Sequence, residues 1–355
     1  MRIAHFTPFA PGKSGMYEST RDQIKYEQRE GLDSFLIDPI RPNFNGAVDG
    51  PVKTVAWQTA MDSDVWVVHA RIPPPLEEYI RANRDKHVVV SIMHGPVEHQ
   101  LIKEWFFLEK GIDEEGGFTI THINWIWHHD ACVVIDKSAF DISEIFDEHE
   151  KLHYIPNSID LERVQKKGDT WQYHNHPAII SCDVPRIEKL PVHIIFAMPR
   201  IVKKIPEARL NMFALPLNHI EFFRNIFCRS KKRHLDFDCC ENIQMRTNYL
   251  TPFIRGADIG FNSNYSGIAS RVHMEMMAMG VPVVSYNGDY TEYHAKIFDL
   301  DSIAEQIERC WKDLNDSKKK LREKTIEYAY KNFDRAVQVK KYVELYQKLK
   351  EGKDV

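Results

Sequence analysis

The chain has 355 residues, 43% hydrophobic and 11% aromatic, enough to bury the cores of two ordinary domains. Its net charge of −4 divides unevenly, −10 over residues 1–170 and +6 over the rest, so the first half repels polyanions and the second suits a phosphorylated small molecule. No apolar run reaches membrane-span length, MRIAHFTPF has no signal-peptide core, and six scattered cysteines form no C-x-x-C pair, so we expect a cytoplasmic protein, at most peripheral to a membrane, without structural zinc.

In chain order, the first half offers the strand candidates RIAHFTP, SFLIDP, KTVAWQ, DVWVVHA, HVVVSIMHG, ACVVID and LHYIPNS. Several are continuous apolar runs, as expected where both sheet faces are covered. The loop after the first, Thr7–Ser19, contains Gly12, Lys13 and Ser14. It is no phosphate-binding P-loop, because that motif needs Gly five residues before Gly12 and position 7 is Thr. HVVVSIMHG ends on His94, at the strand end where α/β sheets gather catalytic groups. The adjacent histidines of WIWHHD cannot easily chelate one metal from a helix face.

The polar stretch from Leu161 to Pro177 reads as a linker. Beyond it the alternation resumes with AIISCD, ARLNMFAL, LDFDC, ADIGFNS and VPVVSY, with helical patterns at Leu300–Leu314 and Lys318–Asn332. The closing segment has apolar residues at helical spacing, from Val337 and Val339 to Tyr346 and Leu349. This pattern predicts an α/β protein of two parallel-sheet domains, 1–165 and 166–334, followed by an amphipathic helix over 335–355.

The stretch ADIGFNSNYSGIASRVHMEMMAMGVPVVS reads strand, loop, helix, turn, strand. A helix starting near Gly267 or Ile268 and stopping at Gly280 would aim the amides of Ile268, Ala269 and Ser270 at the loop, a ready diphosphate site. Glu275 would then lie ~8 Å along the axis, at about 1.5 Å per residue. A carboxylate there can accept two ribose hydroxyls. The same residues also make Arg271 and Glu275 an ordinary i,i+4 surface pair, worth a few tenths of a kcal/mol.

EMMAMGVPVV, from Glu275 to Val284, resembles the nucleotide-sugar site of glycosyltransferase family 4, in the GT-B superfamily. YIPNSIDLERV, FIRGADIGF, KKIPEARL and NFDRAVQVKKYVELYQKL resemble further marks of that family, in the same order. The resemblance implies a GT-B fold: two Rossmann-like, doubly wound domains, with the last helix crossing back to the first. It implies a glycosyltransferase that moves a sugar from a nucleotide-diphosphate sugar, a UDP-sugar foremost, to an unidentified acceptor, retaining configuration, with no metal and no cofactor. The acceptor could be a glycan, a lipid-linked sugar, a small molecule or modified DNA.

The resemblance assigns ribose binding to Glu275 and diphosphate binding to Lys189 and Arg186. Lys189 fits the family lysine, whereas the family arginine falls at Val184, two residues from Arg186. His94 is placed near the reacting sugar. Gly15 and Met16 approach the donor, and Asn264, Tyr265, Ser266 and Arg271 line the donor loop. The family's second Glu falls on Gly267. That departure keeps open a GT-B scaffold that only binds a nucleotide or partner. A phage-type transferase acting on hydroxymethylated DNA bases is the other alternative, opposed by the acidic first half.

Overall fold

The computed structural model describes residues 1–7, 15–38, 48–49, 52–69, 74–94, 129–135, 137, 149–165, 168–183, 189, 191–215, 240–245, 250–265 and 269–353. They form two compact α/β units. Residues 1–159 and 334–355 make one, and residues 160–333 the other.

In the first unit, β1 (Arg2–Phe6), β2 (Asp33–Ile37), β3 (Val48–Asp49), β4 (Val52–Val55), β5 (Val65–His69), β6 (Val88–Met93), β7 (Ala131–Val134) and β8 (Leu152–Tyr154) form a sheet ordered β3-β4-β2-β1-β5-β6-β7-β8. Only β3 runs antiparallel to its neighbour. The strand order reverses between β1 and β5. The continuous apolar runs are buried: Phe6, Trp66, Val68, Val89 and Val134 belong to one core cluster. Helix Gly15–Arg29 packs Tyr17 and Ile24 against Leu36 and Val52. Helix Arg335–Lys353 belongs to this unit and buries Val339, Tyr342, Leu345 and Tyr346. Each such side chain contributes roughly 1.5–3 kcal/mol of hydrophobic stabilisation.

In the second unit, β9 (Ala178–Ser181), β10 (Arg209–Leu215), β11 (Cys240–Met245), β12 (Ile259–Asn262), β13 (Val283–Ser285) and β14 (Tyr293–His294) form a parallel sheet ordered β11-β10-β9-β12-β13-β14. Its reversal lies between β9 and β12. The core packs Ile194, Ile195, Met198 and Ile201 of helix Val192–Lys204 with Ile303, Ile307, Cys310 and Leu314 of helix Leu300–Phe333. The latter breaks at Ser317, whose φ of −160° and ψ of 74° are not helical, so the two predicted patterns stay distinct.

Residues expected to link the domains fold onto the second unit. Leu161–Gln165 is a short helix, the Trp171 amide donates to the Pro252 carbonyl at 3.0 Å, and the Tyr173 hydroxyl donates to that of Phe253 at 3.1 Å. The strand expected at LDFDC lies outside the described residues, and the observed β11 begins just after it.

Candidate active site

In open α/β sheets, ligands gather at the carboxyl ends of strands where the strand order reverses. Both sheets carry buried polar networks at such positions. In the second unit, β9 ends in Ser181 and leads through Cys182 to Asp183, while neighbouring β12 ends in Asn262 and leads to Ser263. The Asp183 side chain is 1% exposed. It accepts from Lys189 Nζ at 2.9 Å, Asn262 Nδ2 at 3.2 Å, the Ser263 amide at 2.8 Å and the Ser263 hydroxyl at 3.1 Å. A buried carboxylate needs this many donors to offset its lost hydration. Lys189 also forms an isolated antiparallel bridge with Asn264, bringing two predicted donor-site residues together.

Asn262 Nδ2 also donates to Ser270 Oγ at 2.7 Å, and Ser270 Oγ accepts the His273 amide at 3.3 Å. Ser270 is therefore the N-cap of helix Arg271–Ala278. This corrects the expected start near Ile268. The backbone of Ser270 is extended, so Ala269 and Ser270 precede the helix, and the first-turn amides belong to Arg271, Val272 and His273. The stop is as expected. Gly280, at φ 78°, donates to the Met277 carbonyl and Val281 to that of Met276, a Schellman closure that favours glycine.

One turn into this helix, Glu275 Oε1 accepts from Arg271 Nε at 3.0 Å and from Arg163 Nη2 at 2.8 Å. The i,i+4 pair thus exists, but half of a larger cluster was missed, because Arg163 lies 112 residues away. Only the packing of helix Leu161–Gln165 beside helix Arg271–Ala278 shows it. Among the described residues, nothing donates to Oε2 of Glu275. One oxygen is thus anchored by two guanidiniums. Cys182, buried between the clusters, has its thiol pushed well above the usual range by burial first, then by the charges of Asp183 and Glu275, with Lys189 opposing.

His273 is buried, with Nε2 3.2 Å from the Tyr290 carbonyl oxygen, and burial pushes its pKa down to about 4. Asn264 is buried, and Tyr265 packs on the core. Arg186, Ser266, Gly267 and Ile268 lie outside the described residues.

In the first unit, Gly15 opens helix Gly15–Arg29, and among the described residues no atom beyond its neighbours and its own helix backbone lies within 4 Å of where a Cβ would stand. Next to it, Met16 gives its carbonyl to the Thr20 hydroxyl at 3.0 Å. His94, just past β6, is partly exposed, and its Nε2 lies 2.9 Å from His69 Nδ1. Burial and the charge of Arg335 push its pKa down to about 3. Among the described residues no cluster of His, Cys, Asp and Glu could hold a metal ion, and no helix is long and apolar enough to cross a membrane.

No family model matches the chain, and no curated protein matches it in sequence. Solved structures do. Anabaena Alr3699/HepE in complex with UDP and glucose matches with a TM-score of 0.70 at 12% identity, over 98% of this chain and 100% of that one. The sucrose-phosphate synthase tll1590 of Thermosynechococcus elongatus gives 0.71 at 12%, over 98% of both chains. A glycosyltransferase of Rickettsia africae gives 0.65 at 14%, again over 98% of both. The likeness shows the fold, the GT-B arrangement of two Rossmann-like α/β domains in one chain.

Proposed function

We propose that the chain is a glycosyltransferase of the family-4 type, moving a sugar from a nucleotide-diphosphate sugar, with UDP the leading nucleotide, to an acceptor hydroxyl. The observation that carries this reading is Glu275: a carboxylate one turn into a helix beside the strand-order reversal, one oxygen anchored by Arg163 and Arg271 and the other unengaged. A ribose diol suits that oxygen. The chain also shares its fold with a protein solved in complex with UDP and glucose.

In this reading Lys189 exchanges Asp183 for the donor diphosphate, helped by Arg186. Lys189 is poised for it, because its side chain is 17% exposed while Asp183 keeps three neutral donors when the ammonium leaves. Cations at a departing diphosphate stabilise the charge that develops there. Gly15 and Met16 approach the donor, while Asn264, Tyr265, Ser266, Gly267 and the segment to Arg271 line it. His94 attends the reacting sugar or the acceptor. The reaction retains configuration without a metal, and the protein acts mainly by orientation and charge stabilisation.

The test is calorimetric titration of the full chain with UDP, GDP and ADP, and of Glu275→Ala with whichever binds. The expected result is micromolar binding of one nucleotide, weakened about tenfold by the substitution, which corresponds to about 1.4 kcal/mol. No binding by any of the three overturns the donor-site assignment.

A further inference from the structure

Three buried polar side chains of the first unit and the partly exposed His94 stand in single file, and the proposed transfer reaction uses only His94. Glu27 Oε2 lies 2.7 Å from His5 Nε2, His5 Nδ1 lies 2.9 Å from His69 Nε2, and His69 Nδ1 lies 2.9 Å from His94 Nε2. His5, His69 and Glu27 are each 0% exposed. The file crosses the reversal point of the sheet, from helix Gly15–Arg29 through β1 and β5 to the end of β6. The ring-to-ring separations are those of a shared proton. A metal held at about 2.0–2.1 Å from each nitrogen would spread the ligands farther apart.

The geometry points to a proton relay with two polarity states, its charged end at His5 and Glu27 and its far end at Nδ1 of His94. The inner end is fixed. Glu27 Oε1 accepts from Gln23 Nε2 at 3.0 Å and from the Tyr346 hydroxyl at 3.3 Å, so Oε2 is left to take the His5 Nε2 proton. Burial raises the Glu27 carboxyl's pKa, but His5, Ser34 and Gln23 together outweigh burial and hold it below the usual value.

With Glu27 ionised and His5 neutral, His5 Nδ1 has only a lone pair. His69 must then donate from Nε2, and His94 must donate from its own Nε2. Each ring has one proton to give, so every tautomer follows from the first. His94 Nδ1, the ring nitrogen not turned to His69, is then the acceptor at the far end of the file from Glu27.

A proton gained at His94 Nδ1 from a hydroxyl releases the Nε2 proton to His69 Nδ1, and His69 releases its own to His5 Nδ1. Each step breaks one N–H bond and makes another. The added charge comes to rest on His5 beside the Glu27 carboxylate, and His94 ends neutral with its proton on Nδ1. Surrounding charges favour this direction. Arg335, anchored by Ser19 Oγ and the Ser158 carbonyl at 2.7 Å each, disfavours a cation on His69 and His94, in addition to their burial. Tyr342 and Tyr346, the other ionisable groups facing Glu27, stay protonated, because burial pushes their pKa values up. His5, His69 and Glu27 are thus positioning residues. They decide whether His94 offers a lone pair or a proton. That the hydroxyl belongs to a sugar or acceptor rests on the proposed transferase reading, whereas the relay does not.

Nitrogen-15 NMR of histidine-labelled full chain, without nucleotide, tests this, with His5, His69 and His94 assigned by single substitutions. At neutral pH all three should carry the proton on Nε2. Glu27→Gln should reverse the file: its oxygen stays with Gln23 and Tyr346, its amide donates to His5 Nε2, and His94 switches to Nδ1–H three rings away. If that variant does not fold, acid titration of the wild type serves instead. His69 and His94 should exchange tautomers at one shared midpoint while both rings remain neutral. An unchanged His94 tautomer in a folded Glu27→Gln, or separate midpoints for His69 and His94 in the wild type, overturns the relay. Neither result depends on nucleotide binding, so failure of the relay and failure of the transferase reading are told apart.

Discussion

Replacing Asp183 by Asn should destabilise the second unit far more than a surface charge change would. The carboxylate is 1% exposed and its two oxygens face only donors: Lys189 on one side, the Ser263 amide and hydroxyl on the other, with Asn262 reaching both. An amide can satisfy one side, but its NH2 must then face a donor on the other. Breaking a buried ion pair from one side costs about 3–5 kcal/mol. For a unit of this size each kcal/mol lowers Tm by about 2–4 °C, so the transition should fall by roughly 6–20 °C. Lys189→Met removes a partner that is 17% exposed and leaves the carboxylate its neutral donors, so it should cost less, about 1.5–3 kcal/mol. The double variant should lose less than the sum of the two, because the coupling disappears with either partner. Differential scanning calorimetry of the intact chain resolves this, since two units need not melt as one. A Tm of Asp183→Asn within about 2 °C of wild type would refute the claim that the pair is buried and necessary.

Three further outcomes are expected. Arg163→Met leaves Glu275 held by Arg271 alone, and should weaken nucleotide binding by about tenfold with little change in stability, read by calorimetric titration. Gly256→Ala, at the end of helix Thr251–Gly256, would drive a Cβ into the Trp171 carbonyl oxygen, a backbone atom, and should cost about 1–3 kcal/mol or more by thermal melting; an unchanged Tm would contradict the packing of Trp171 on that helix. Stability should also fall in mild acid. His94 and His273 have folded pKa values of about 3 and about 4, below the unfolded value of 6.5. The unfolded chain therefore binds more protons as pH drops below about 6.5, and each histidine costs about 1.4 kcal/mol per pH unit until its folded pKa is reached. Asp258, held below 3.8 because Lys318, His176 and the Ala178 amide outweigh its burial, contributes stability that is lost only at lower pH, below about 4. Urea midpoints at pH 7.5, 6.5 and 5.5 check the histidine effect, and a flat profile would contradict it.

The sequence by itself determined the alternation of buried parallel strands and helices, because strands covered on both faces must be continuous apolar runs and helices must carry apolar stripes. It also determined the stop of the site helix, because Gly280 is the residue that adopts positive φ there without strain. The start was less legible. A run of small residues reads as helix until a particular side chain caps it, and Ser270 does so through a partner, Asn262, whose position depends on β12. Two-residue β3 and β14 carry no periodicity to read. Contacts across long sequence separations were decided by tertiary structure alone. His94 could be singled out as a strand-end histidine, but His5, His69 and Glu27 become its partners only because β1, β5 and β6 are adjacent in the sheet. In the same way, Glu275 was visible as a carboxylate on a helix, while its second anchor, Arg163, depended on one short helix packing beside another. Local patterns follow from each residue's own propensity and neighbours. Buried polar clusters instead require separate segments to meet with matching donors and acceptors, and only the folded chain brings them together.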